Sequence, residues 1–181
     1  MRKFVLGLLA SLLAVSASAQ SLDRPTRLSF FVSNISLAWS EGTGSAWDAG
    51  YGVALERRFS RAWSGELAVS YEQHETQPYF LNPTRFDVRT YPIDAVVRYT
   101  FPNVQSRWRP YVGAGARYVG APEEPFNVEY EDMLAPQAAA GVEFNAAEAW
   151  SLRFDAKQLL KDDVPVYDDA FKVSVGIGWR F

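Results

Sequence analysis

Ser70, Glu72 and His74 occupy alternate positions of one stretch, and a hydroxyl, a carboxylate and an imidazole are the parts of a nucleophilic hydrolase. Such chemistry needs the three groups within hydrogen-bond reach. On an extended strand, positions i and i+2 stand ~6.6–6.8 Å apart, too far for direct bonds between well-extended neighbours. The trio therefore reads as a rim histidine beside an acidic neighbour, and no catalytic residue is expected. His74 is the single histidine and the chain has no cysteine, so disulfides, thiolate metal sites, thiol nucleophiles and a lipidated N-terminal cysteine are excluded. Two acidic stretches remain as candidate ligands. Glu123, Glu124, Glu129, Glu131 and Asp132 fall within 121–135 without a Lys or Arg, and Asp162, Asp163, Asp168 and Asp169 follow Lys161. Carboxylates are hard-oxygen ligands for Ca²⁺ or Mg²⁺, but the spacing matches no defined calcium loop. A weak divalent site and a plain solvated acidic loop both fit, and no cofactor is expected.

Thirteen other charges fall on one phase of a period-two pattern. Glu56, Glu66, Asp94, Glu143 and Asp155 share that phase with Arg58, Arg98, Arg109, Arg117, Arg153, Lys157, Lys172 and Arg180. The elements that carry them are strands. Phe171, Val173, Val175, Ile177, Trp179 and Phe181 alternate with Lys172, Ser174, Gly176, Gly178 and Arg180, which gives one apolar and one polar face. Extending this reading predicts eight strands near 27–40, 50–59, 64–73, 88–101, 109–120, 136–144, 150–160 and 171–181. The first is irregular around Asn34, where a bulge would explain the phase shift. Pro92 marks a strand start or a bulge in the fourth. Short connections that open on Phe and close on Trp (59–63, 101–108, 144–150) alternate with long polar ones (41–49, 73–87, 121–135, 161–170). Tight turns therefore gather at one end of the sheet and loops at the other.

Length and charge limit the rest. At 181 residues, 48% hydrophobic and 22% charged, the chain suits one folded domain, and its formal net charge of −3 argues against nucleic acid as a partner. Arg2 and Lys3, the apolar run from Phe4 to Val15, and Ala17-Ser18-Ala19 read as a secretory signal peptide over 1–19, sent through the Sec pathway and cut before Gln20. The domain then covers 20–181. Twelve apolar residues fall short of the ~20 that span a bilayer as a helix. An exported chain of strands either stays soluble or enters a membrane as a barrel.

Period two alone does not say which face is outside, since a soluble eight-stranded barrel buries its apolar face instead. Three features favour the membrane arrangement. Phe59, Trp63, Phe101, Trp108, Phe144, Trp150 and Phe181 all fall at the short-turn level, as the aromatic girdle at one bilayer interface would. Tyr51, Tyr71, Tyr91 and Tyr118 lie toward the other end on the same phase and suit a second girdle. The last strand alternates without fault to Phe181. The polar phase then lines a narrow lumen, where buried charges need partners. Gly50, Gly52, Gly113, Gly115, Gly141, Gly176 and Gly178 on that phase leave room for arginines and Tyr111. Arg57 is the exception on the lipid phase, close enough to the interface to be cheap.

Arg109-Pro-Tyr-Val-Gly-Ala-Gly-Ala-Arg-Tyr118 and Val175-Gly-Ile-Gly-Trp-Arg-Phe181 resemble the small outer-membrane β-barrel proteins of Gram-negative bacteria, and the G-x-G-aromatic-R-F ending is similar to that of OmpW-type members. The resemblance implies an all-β fold: an eight-stranded antiparallel up-and-down transmembrane β-barrel in the outer membrane. It implies insertion by the barrel-assembly machinery through the C-terminal strand, contact with outer-membrane lipid and lipopolysaccharide, and a monomer with loops outside and turns in the periplasm. OmpW-like proteins are associated with passage of small hydrophobic compounds, whereas OmpX-like and OmpA-type barrels are structural or adhesive. Some eight-stranded barrels modify lipid A. The deacylase family carries His-x-Ser-Asn on its penultimate strand, where this chain has Asp155-Ala-Lys-Gln158, without His or Ser. Two readings stay open: a structural or surface-interaction barrel with a filled lumen, and a narrow conduit for small apolar solutes. In the conduit, Arg117, Lys157 and Asp155 are expected to matter most.

Overall fold

The computed structural model describes residues 25–36, 47–76, 86–102, 107–120, 132–160 and 171–181. Alternating residues form β1 (Thr26–Ser36), β2 (Trp47–Arg58), β3 (Trp63–Thr76), β4 (Phe86–Thr90), β5 (Ile93–Thr100), β6 (Trp108–Val119), β7 (Met133–Asn145), β8 (Trp150–Leu159) and β9 (Phe171–Arg180). They make one sheet in the order β2-β1-β9-β8-β7-β6-β5-β3-β4, closed by a further β2–β3 pairing. All pairings are antiparallel. β4 and β5 both pair with β3, the first along Glu72–Thr76 and the second along Trp63–Val69, so they are two halves of one strand. The break falls at Tyr91-Pro92, because proline has no N–H to give the ladder. Ser70 N donating to Pro92 O at 3.1 Å carries the pairing across it. The barrel thus has eight staves and no free edge, the condition for strands to cross a bilayer.

The first strand corrects one expectation. It has no bulge near Asn34: Thr26–Ser36 runs in unbroken register against both β2 and β9. The irregularity is chemical. Phe31 lies on the inward phase with Arg27, Ser29 and Ser33, and is buried, while Phe30 and Val32 face out. It fits because its neighbours in register are Gly52 and Gly176. A Cβ on Gly52 would stand 2.6 Å from the Phe31 ring.

Short connections close at the end where β2 meets β3 and β7 meets β8. Phe59 N and Ser60 N donate to Trp63 O at 3.0 and 3.2 Å, and Ala147 N donates to Trp150 O at 3.2 Å. Ser60 Oγ accepts from Trp63 N at 3.0 Å, a local side-chain bond that fixes the first turn. Residues 1–19, expected as a signal peptide, and most of the long connections, with both acidic stretches apart from Asp132, lie outside the described residues.

The faces are inverted relative to a soluble protein. Val32 is 64% exposed and Leu134 66%, whereas Arg98 is 2% and Asp94 1%. Apolar side chains cover the outside of the wall and charges fill the inside, which is the arrangement that hydrocarbon around the barrel selects.

Candidate functional site

Among the described residues, seven bases and six acids are buried in the lumen: Arg27, Arg98, Arg117, Arg153, Lys157, Lys172 and Arg180 with Glu56, Glu66, Glu72, Asp94, Glu143 and Asp155. They form three tiers. At the short-turn end Arg27 spans Glu56 and Glu143, Arg180 bonds Glu143 and Asn145, and Arg58 approaches Glu143 at 3.5 Å. In the middle Arg98 holds Glu56 at 3.2 Å, Glu66 at 2.5 Å and Asp155 at 3.6 Å. Arg153 pairs with Glu66 and, through Nε, with Asp155 at 2.5 Å. In the upper tier Lys157 links Glu66 at 3.7 Å to Asp94 at 3.1 Å, and Arg117 joins Asp94 and Glu72 at 2.8 Å each. Lys172 completes it at 2.6 Å from Glu72.

These contacts are one connected network. It runs from Arg180 through Glu143, Arg27, Glu56, Arg98, Glu66, Lys157, Asp94, Arg117 and Glu72 to Lys172, nearly the full height of the wall. Each arginine shared by two or three carboxylates offsets part of the desolvation cost that a buried charge carries alone. Aromatic and aliphatic side chains fill the remaining width. The Arg98 guanidinium lies 4.7 Å from the Tyr111 ring centroid and Lys172 Nζ lies 5.1 Å from that of Phe31. Gly141 is required beside Tyr111, since a Cβ there would stand 2.4 Å from its hydroxyl. Above the charges, Val119, Met133, Ala135 and Leu159 are buried at the loop ends of β6, β7 and β8.

Of the thirteen charges read on the lumen phase, twelve join this network. Arg109 does not: it is half-buried at the short-turn mouth, where Nη2 donates to Arg61 O at 3.4 Å. One member, Arg27, falls outside that reading. Arg27 was hidden by Phe31 on its own phase, although Arg27, Ser29 and Ser33 alternating with Leu28, Phe30 and Val32 carried the signal. Glu72, whose phase with Ser70 also points inward, joins the network through Arg117 and Lys172. Backbone spacing does not keep Ser70 and Glu72 apart. Ser70 Oγ donates to Glu72 Oε1 at 3.0 Å, and Arg153 reaches Asp155 two residues on, because side chains lean along the strand while their Cα atoms stay apart. The Glu72 carboxylate is nevertheless committed to Arg117 and Lys172, which leaves it a poor base. The side chain of His74 lies outside the described residues.

The aromatic residues form two outer bands. Phe59, Trp63, Phe101, Trp108, Phe144, Trp150 and Phe181 all lie at the short-turn level, joined by Tyr99 and Trp179. Trp63 and Tyr99 meet edge to face at 5.0 Å, and Trp108 and Phe144, and Trp179 and Phe181, pack as tilted pairs at 4.7 and 5.1 Å. Toward the loop end Tyr51, Tyr71 and Tyr91 make a ladder with centroids 5.2 and 5.6 Å apart. No group of metal-ligating residues occurs among the described residues.

The model of the family described as outer membrane protein beta-barrel domain matches residues 5–181. Among solved structures, the chain is similar to Neisserial surface protein A at 18% identity and a TM-score of 0.65, covering 87% of this chain and 97% of that one. It is similar to OprG of Pseudomonas aeruginosa at 14% identity and a TM-score of 0.63, covering 90% and 98%. Ail, the attachment invasion locus protein of Yersinia pestis, matches at 14% identity and a TM-score of 0.61, covering 88% and 100%. Ail has also been solved with the heparin analogue sucrose octasulfate. No curated protein matches the sequence significantly.

Proposed function

The chain belongs to that outer membrane β-barrel family, and on this premise we propose that it is a non-enzymatic surface-interaction barrel whose lumen is closed by its own ion pairs. The single observation that carries the reading is the unbroken run of contacts from Arg180 to Lys172. Ions crossing such a lumen would have to displace charge-assisted bonds from Arg98 and Glu66, each about 2% exposed or less. A closed barrel leaves its long loops as the part that meets the outside. Their charge sets the partner's chemistry: 121–135 carries five acids and no base. A basic surface suits them, in contrast to the polyanion bound by Ail, and Ca²⁺ or Mg²⁺ bridging to lipopolysaccharide phosphates suits them equally. Removal of 1–19 on export, insertion through the β9 strand and a monomeric state complete the reading.

A second reading rests on Val119, Met133, Ala135 and Leu159, a buried apolar patch at the loop ends of β6, β7 and β8. It would admit a small apolar solute from the loop end, to leave sideways into lipid. Release of a fluorescent hydrophobic probe from vesicles separates the two. The closed barrel gives no rate above protein-free vesicles, while a rate that falls on Leu159→Lys favours the conduit.

A further inference from the structure

At the short-turn end the aromatic band is carried by Trp179 and Phe181 at the end of β9, by Phe59 in the turn after β2 and by Trp63 on β3. Between them, on the outward face of β1 and β2, the level is held by Thr26 and Arg57, which face each other in register. Thr26 is at the height of Phe181, since Phe181 N donates to Thr26 O at 3.0 Å. Arg57 Nη1 donates to Thr26 Oγ1 at 2.7 Å, a neutral acceptor, and its Nε is buried with no hydrogen-bond partner. The nearby carboxylate, Glu56, points inward and is taken by Arg27 and Arg98. The hairpin adds a second cation, Arg61, exposed in the turn four positions on. Leu55 and Leu28 stand above this pair on the same face, and above them begins a shallow apolar groove of about 700 Å³. Its walls include Phe30, Val32, Val53, Val69, Tyr71 and Val175. Arg57 lies four positions along the strand from Val53, about 13 Å.

A guanidinium without a carboxylate, set at the headgroup level beneath an apolar groove, has the two parts that a phospholipid needs. We propose that the Arg57–Thr26 sector is a site for one anionic phospholipid of the periplasmic leaflet. Its phosphate lies on the Arg57 guanidinium, with Arg61 adding charge, and one acyl chain follows Leu55 into the groove. An anionic headgroup is favoured over a zwitterionic one because no side-chain carboxylate among the described residues pairs with either arginine, and a zwitterion would bring its own cation against them. The site is independent of whether the lumen is closed.

The test is competition for the folded barrel in detergent between phosphatidylglycerol and phosphatidylcholine of identical chains, with bound lipid counted by native mass spectrometry. The first lipid retained is expected to be phosphatidylglycerol by about fivefold, the preference of roughly one arginine near a headgroup. Arg57→Gln should bring the ratio to parity, while Arg89→Gln, exposed on β4 at the opposite end, should leave it unchanged. Equal retention by the wild type, or an undiminished preference in Arg57→Gln, overturns the proposal. Should the glutamine variant not fold, phosphatidylglycerol spin-labelled at its headgroup locates the site on the wild type. Broadening of the Thr26 and Arg57 amide resonances above all others supports it, and broadening centred elsewhere overturns it.

Discussion

The two faces of this wall come from the same strands, yet they meet opposite solvents. On β8, Leu152 and Phe154 lie against hydrocarbon while Arg153 and Asp155 between them are buried in a charged lumen. The outer face is additive: each side chain contributes its own apolar area, and neighbours are exchangeable. The inner face is not, because each carboxylate serves two or three cations. Glu66 meets Arg98, Arg153 and Lys157 together. A change on the outside should therefore cost what its own side chain costs, and a change inside should cost what its partners lose.

That contrast can be broken most sharply at Glu66. Glu66→Ala strands three buried cations and should destabilise the barrel by about 3–5 kcal/mol, read as the urea midpoint for unfolding from vesicles. Replacing Glu66 and Arg153 together by leucine and methionine should recover much of that loss, since a fitted apolar pair escapes desolvation. Additive effects of the two single changes would show that the interior is no more cooperative than the exterior. Next in size is Val175→Arg, on the outer face of β9 midway between its ends, at about 2–4 kcal/mol by the same measurement. A folded variant of unchanged stability would contradict the inside-out wall. Gly141→Leu drives a side chain into Tyr111 and should cost about 1–3 kcal/mol by overpacking. Phe144→Leu, which removes a stacking partner of Trp108 from the outer band, should cost the least, on the order of 0.5–1.5 kcal/mol.

How much of this was legible in the sequence follows from the same contrast. Strand number, the short-turn and long-loop ends, the lower girdle and the identity of the inward phase are local, and period two displays them. Pro92 announced a strand start because a missing N–H is a property of one residue. Arg27 was masked because Phe31 breaks the polar phase of its strand, and only the glycines on both neighbouring strands make that phenylalanine admissible. The pairing inside the lumen was not legible at all. Arg27 and Glu143 are 116 residues apart, and whether they meet depends on the stagger of strands around the closed sheet. The distance rule applied to Ser70 and Glu72 failed for a simpler reason: it measured backbone spacing, and the side chains lean together.

The most direct test of a lumen closed by its own charges is single-channel conductance of the folded barrel in a planar bilayer, with wild type and the Glu66→Ala, Arg98→Ala double variant side by side. The wild type should insert and stay silent, while the double variant, which removes two of the residues linking the lower and upper tiers, should show discrete openings. Reproducible openings of the wild type would contradict the account, and the conduit would then be the primary function.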